Sequence, residues 1–228
     1  MATQRHGALR TWLHRRLRAL WSDFDVNAWL GMYPMTYLST EEWRRLLPEA
    51  GGVLLDVGAG SGDLTRALSP LFTRVVCTET SRGMAKKLRG LEFETHLVDL
   101  SKERLPENAM FDAVAILHVV DRCSRPLTLI ERATAHLQHG GLFVIAVTLP
   151  YDPIVDVGMR TLEPEEQLLD RADDVDEAQA RLVTLLGTHF GIDMIRMGRV
   201  PYLCPGDSDV TDYCLDSFVF VGRKRDGD

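Results

Sequence analysis

The stretch Val53-Leu54-Leu55-Asp56-Val57-Gly58-Ala59-Gly60-Ser61-Gly62 decides the fold of this 228-residue chain. Its apolar first half predicts a strand buried on both faces, and the glycines after it predict a sharp turn opening a helix at 63–68. Short apolar runs of the same character recur at 75–78, 96–99, 113–119 and 142–148, separated by helical patterns at 81–89 and 126–136. Near-continuous apolar strands alternating with helices indicate an α/β domain, doubly wound, with a mostly parallel sheet covered on both faces. Beyond residue 148 an acidic stretch, 163–177, leads into a helix carrying Leu182, Leu185 and Leu186. Two strand-like segments, 192–197 and 218–221, are expected to pair antiparallel at the sheet edge, which makes a seven-stranded sheet.

Working outward, Ser39-Thr40-Glu41-Glu42 reads as a cap opening a helix with Trp43, Leu46 and Leu47 on one face. Before it lies the one basic cluster: Arg5, Arg10, Arg15, Arg16 and Arg18 precede the first acid, Asp23, and Leu9, Trp12, Leu13, Leu17, Leu20 and Trp21 recur at helical spacing. This reads as an amphipathic helix docking its apolar stripe on the domain, with a transit peptide, a membrane-surface contact or a lid as alternatives. The expected division is a helical extension, 1–50, packing on a domain, 51–224, with substrate-binding elements at 150–217. The net charge of -7 offers no long-range attraction to phosphate backbones, so no nucleic-acid partner is expected. No apolar run suits a transmembrane segment and no secretory signal is evident, so we expect a monomer of the cytoplasm or an intracellular organelle, not a secreted protein. The four cysteines form no C-x-x-C pair and the seven histidines no H-E-x-x-H spacing, so no metal is predicted.

The glycine turn is G-x-G-x-G rather than the dinucleotide-binding G-x-G-x-x-G. Gly58, Gly60 and Gly62 let the backbone turn and approach a ligand closely, and Asp56 just before them can organise the turn and bind the cationic methionine moiety of S-adenosylmethionine. Glu79, ending the second apolar run, stands where an acid of such folds accepts ribose hydroxyls. Asp99, ending the third, is placed to accept an adenine amino group or to cap the next turn. With Leu100 and Leu117 beside them, these residues resemble the cofactor site of the Rossmann-like class I methyltransferases, whose motifs cover about residues 53 to 149.

Three further strings are far more distinctive. The segment Leu117-His118-Val119-Val120-Asp121-Arg122-Cys123-Ser124-Arg125-Pro126-Leu127-Thr128-Leu129 closely resembles the DREV family, that of methyltransferase-like protein 9. So do Leu149-Pro150-Tyr151 with Pro153 and Val157-Gly158, and Arg199-Val200-Pro201-Tyr202-Leu203-Cys204 with Gly206-Asp207, Tyr213, Leu215 and Asp216. The resemblance implies a protein-histidine N-methyltransferase that uses S-adenosyl-L-methionine and acts on the π (N1, pros) nitrogen of histidine in His-x-His motifs of a protein or peptide. Such chemistry requires one imidazole nitrogen to keep its lone pair and the other its proton.

A carboxylate accepting the distal N–H would choose that tautomer and balance the developing positive charge, and Asp121 is the candidate, with an ion pair to Arg122 or Arg125 or a helix cap as its plain alternative. Tyr213 matches a family tyrosine of the substrate pocket, with an edge-strand core role as its alternative, and Tyr202 is a further substrate-binding candidate. His118 departs from the family, which carries asparagine there; a titratable, bulkier ring bears on regiochemistry or merely shapes the cofactor pocket. The competing readings are a small-molecule methyltransferase of the same fold and a non-catalytic adaptor; intact Asp56, Gly58, Gly60, Glu79 and Asp121 argue against the adaptor.

Overall fold

The computed structural model describes residues 12–13, 16–17, 26, 29–30, 35–47, 49–157, 160–171, 174–205 and 212–226. The packing expected of the basic N-terminal segment lies almost wholly outside them. The expected cap at Ser39 is present: its hydroxyl accepts the Glu42 N–H while the Glu42 carboxylate accepts the Ser39 N–H, opening α1, Thr40–Leu46.

The alternation that follows is β1 (Val53–Val57), α2 (Asp63–Leu68), β2 (Arg74–Glu79), α3 (Arg82–Gly90), β3 (Glu94–Leu97), β4 (Phe111–Leu117), α4 (Pro126–Ala135) and β5 (Leu137–Thr148). A short 3-10 turn, Ser69–Leu71, joins α2 to β2; after β5 come a two-stranded hairpin, β6 (Val155–Val157) with β7 (Arg160–Leu162), then α5 (Val175–Phe190), β8 (Ile192–Pro205) and β9 (Asp212–Lys224). The main sheet has seven strands in the order β3-β2-β1-β4-β5-β9-β8, all parallel except β9, which runs against both its neighbours. It is the expected doubly wound, Rossmann-like sheet.

Alternate residues of each strand feed two cores. Leu55, Val76, Val114, Ile116, Ile145 and Phe220 face α4 and α5, whose Leu129, Ile130, Leu182 and Leu186 cover them. Leu54, Cys77, Ala115, Val144 and Val219 face α1, α2 and α3 through Trp43, Leu64, Leu68 and Leu88. Burial of each such leucine or isoleucine contributes about 1.5–3 kcal/mol, which is why these runs read as strands without alternation.

Element ends differ from expectation where polar residues interrupt the apolar signal. β3 stops at Leu97, so Asp99 lies in the following turn rather than on the strand. β4 stops at Leu117 because His118 takes a positive φ of 56°. β8 and β9 extend far beyond 192–197 and 218–221, continuing through Gly198, Pro201 and Asp216. Pro201 is tolerated because β8 is the edge strand, where a missing N–H breaks no ladder.

Candidate active site

Strand order reverses between β1 and β4, and the carboxyl ends of those two strands form the crevice where open α/β sheets take ligands. On the β1 side the chain turns through Gly58, Gly60 and Gly62, all at positive φ. At Gly58 a Cβ would come within 2.8 Å of the Val119 side chain, and at Gly60 one would meet the Met35 methyl at 3.5 Å, so the turn leaves backbone where side chains would stand. The turn is fastened to β2: Thr78 O accepts the Gly58 and Ala59 N–H groups, and the buried Glu79 carboxylate accepts the Gly60 N–H at 2.8 Å on one oxygen and those of Thr80 and Ser81 on the other. The Thr80 hydroxyl adds a longer contact to that second oxygen at 3.4 Å, whereas the oxygen bonded to Gly60 accepts only that one N–H and keeps a lone pair.

Asp56 lies on β1, buried, and accepts the Thr65 hydroxyl of α2 at 2.7 Å. Burial, against the Thr65 bond and reinforced by the nearby Glu79 charge, pushes its pKa up to about 6. Such a carboxylate gains from a cation beside it. Asp99 accepts the Ser101 N–H and hydroxyl on one oxygen and meets Lys102 Nζ at 3.0 Å on the other. Burial opposes its ionisation, but the Ser101 and Lys102 bonds together hold its pKa below the ordinary value. It caps the turn after β3, the alternative raised by its sequence position. Leu100 is sealed in the core on the α4 side and Leu117 in the core on the α2 side, both beneath this edge.

Beyond β4 the chain brings together residues far apart in sequence. Asp121 is 2% exposed; one oxygen accepts the Thr148 hydroxyl at 3.0 Å, and the other, Oδ1, is buried with no partner. Arg122 Nε pairs with the Thr148-bonded oxygen, Oδ2, at a long 3.8 Å, which is the ion pair raised as the plain alternative, while Arg125 turns instead to Glu165 and Glu166; Oδ1 is left without a partner. His118 stacks on Tyr202 with ring centroids 3.7 Å apart and planes 4° from parallel, while Tyr37 meets both rings edge-on. Desolvation, with the Arg122 charge adding to it, pushes the His118 pKa down to about 3. Its Nε2 is 3.4 Å from the Ser217 hydroxyl, which donates to Tyr37 at 3.0 Å, and its Nδ1 is buried without a partner.

Register explains the gathering. Thr148 of β5 pairs with Ser217 of β9, and Tyr202 of β8 pairs with Leu215, so these side chains share the sheet face carrying α1 and α2. Tyr202 is buried and its hydroxyl donates to Met35 sulfur. Tyr213, opposite Cys204, is 37% exposed and lies four residues along β9 from Ser217. At alternate positions along β9, Tyr213, Leu215 and Ser217 share one sheet face.

Residues 7–224 match the DREV methyltransferase family. The chain belongs to that family. Among solved structures it is similar to the N-methyltransferase NodS of Bradyrhizobium japonicum in complex with S-adenosyl-L-homocysteine, at 14% identity and a TM-score of 0.54 over 82% of this chain and 85% of that one. It also resembles a putative methyltransferase of Bacillus halodurans, at 11% identity and a TM-score of 0.57 over 82% and 99%, and TehB of Haemophilus influenzae, at 16% and 0.54 over 82% and 61%. Family and fold together identify an S-adenosylmethionine-dependent methyltransferase.

The residues present fit the DREV family's cofactor: a side-chain-free turn, a buried carboxylate favouring a cation, and a second carboxylate with one acceptor position open. Thr148, Ser217, Tyr37 and Met35 were not singled out in the sequence. No local pattern marks them, because their roles depend on strand register and on the segment at Met35 that meets the glycine turn.

Proposed function

We propose that this DREV-family chain methylates histidine side chains of proteins at the π nitrogen, in His-x-His segments. The observation that carries the reading is the unpartnered Oδ1 of buried Asp121, at the carboxyl edge of β4 and across the crevice from the glycine turn. A buried acceptor without a donor costs about 1–3 kcal/mol, so a substrate N–H that reaches it binds with that penalty relieved. Neutral imidazole offers one N–H and one lone pair. An N–H held on Asp121 fixes the proton on one nitrogen and leaves the other as nucleophile, and the family likeness supports assigning the nucleophile to the π position.

When bound at the glycine turn, S-adenosylmethionine supplies an electrophilic methyl group on a sulfonium. Asp56 would hold its amino group and Glu79 its ribose; Asp99 and the backbone beside Leu100 would border the adenine. As the imidazole lone pair took up that methyl group, leaving the neutral thioether behind, the ring would become cationic, and Asp121 would hold its other N–H and balance the charge. No proton need leave before transfer, and the imidazolium proton passes to solvent afterwards. The role of Asp121 is orientation and charge balance, a contribution of about 10²-fold or more.

The test is transfer of labelled methyl groups to a His-Ala-His peptide, to its Lys-Ala-Lys counterpart and to free histamine. Label on the histidine peptide alone is expected. Label on lysine or histamine but not on the histidine peptide would refute the assignment.

A further inference from the structure

His118 is the second residue on this edge with a buried, unpartnered polar atom, and it rests on the substrate assignment made above. Three observations set it apart from a packed core histidine. Its backbone sits at φ 56°, a region a non-glycine side chain occupies only where its surroundings enforce it. Its ring is clamped face-on by Tyr202 and edge-on by Tyr37, so the ring plane cannot rotate freely. Its two nitrogens have different environments: Nε2 faces Ser217, and Nδ1, though buried, has no protein partner.

The Ser217 hydroxyl has a single hydrogen, which it donates to Tyr37. With that hydrogen on Tyr37 the hydroxyl offers a lone pair toward His118, 3.4 Å away, and the ring nitrogen facing it would then carry the proton. We propose that Ser217 and Tyr37 are positioning residues that hold His118 as the Nε2–H tautomer, so that its Nδ1 lone pair stands three residues from Asp121 as a second, neutral acceptor for a main-chain N–H of the bound peptide. A main-chain group is the donor that remains. The target imidazole has one N–H, already taken by Asp121, its nucleophilic nitrogen has none, and the small middle residue brings no side-chain donor, so the main chain adjoining the target is the nearest donor, with the N–H of the motif's other histidine lying a full residue further along the segment. The depressed pKa of His118 keeps this lone pair free throughout the working pH range.

Three substitutions separate the polar role from the packing role. His118→Asn places an amide oxygen where Nδ1 stands, His118→Gln reaches only toward Nε2, and His118→Phe keeps the stacked ring without either nitrogen. With a His-Ala-His peptide, the Asn variant is expected to keep KM within about threefold, while Gln and Phe raise it roughly tenfold with S-adenosylhomocysteine affinity unchanged. The reverse order, Phe near wild type and Asn impaired, would reduce His118 to a packing residue. The tautomer is read separately, by ¹⁵N NMR of the histidine-labelled protein bound to S-adenosylhomocysteine without peptide. An unprotonated Nδ1 that becomes tautomer-averaged in Ser217→Ala is expected; a protonated Nδ1 in the wild type would overturn the proposal. Failure of the wild type to methylate the peptide would instead sink the substrate assignment, and the NMR result would stand apart from it.

Discussion

Asp121 and Asp56 are both buried carboxylates near one crevice, yet they carry opposite expectations. Asp121→Asn keeps shape and the Thr148 contact but removes the charge proposed to balance an imidazolium. Single-turnover methylation should fall about 10²-fold or more while calorimetry finds the cofactor bound as before. Near-normal turnover would return Asp121 to a structural role. Asp56 titrates near 6 in the folded chain against an ordinary 3.8, so its contribution to stability is complete below pH 3.8 and is lost as pH rises through 6. In Asp56→Asn the free protein should therefore be more stable at pH 7.5, by roughly 2–3 kcal/mol at most, while losing the thermal shift with S-adenosylhomocysteine. An undiminished thermal shift would remove Asp56 from the cofactor site. His118 has the opposite sign to Asp56: with a folded pKa near 3 against 6.5, its contribution is complete above pH 6.5 and is lost as acid reaches 3. Since His118 stays neutral, and with S-adenosylmethionine kept saturating so that protonation of Asp56 near 6 does not empty the cofactor site, the acid limb of methylation should follow the substrate histidine, near pH 6.5 if unperturbed. A rate flat down to pH 5, with binding unchanged, would contradict a histidine nucleophile.

At the scale of elements, the glycine turn is the most constrained link between β1 and α2. Gly58→Ala adds a Cβ at positive φ, 2.8 Å from Val119, and is expected to lower stability by about 1–3 kcal/mol and weaken S-adenosylhomocysteine binding as well. Gly90→Ala, at the end of α3 with open space around its Cβ, is the matched control and should leave both nearly unchanged in urea titrations and calorimetry. The elements most legible in the sequence were those with a single physical signature: the apolar run before the glycines and the Ser39–Glu42 cap. The long hairpin of β8 and β9 was only half legible. Arg199, Pro201 and Asp216 break the apolar pattern there, and the Arg199–Asp216 pair across the strands replaces apolar contact at the exposed edge. Candidate site residues divide the same way: Glu79 ends β2 and Asp121 lies in the turn just past β4, so both could be singled out from the strand pattern, whereas the Thr148–Asp121 and Ser217–Tyr37 bonds join residues 27 and 180 positions apart and exist only once register is set.

Over the whole molecule, the crevice draws on β1, β2 and β4 on the glycine-turn side and on β4, β5, β8 and β9 on the other, so a ligand bound as proposed would tie the two halves of the sheet together. S-adenosylhomocysteine at 100 times its Kd should stabilise the fold by about 2.7 kcal/mol, read as a rise in Tm that grows with concentration. No helix among the described residues is long and apolar enough to cross a membrane. The central claim is that the chain moves a methyl group to the π nitrogen of histidine, and position-resolved amino-acid analysis tests it most directly. A His-Ala-His peptide would be incubated with the protein and S-adenosylmethionine, hydrolysed, and its methylhistidine isomers separated. The account predicts π-methylhistidine in the wild type and its near absence in Asp121→Asn; τ-methylhistidine as the main product, or a methyl group on any other residue, would contradict it.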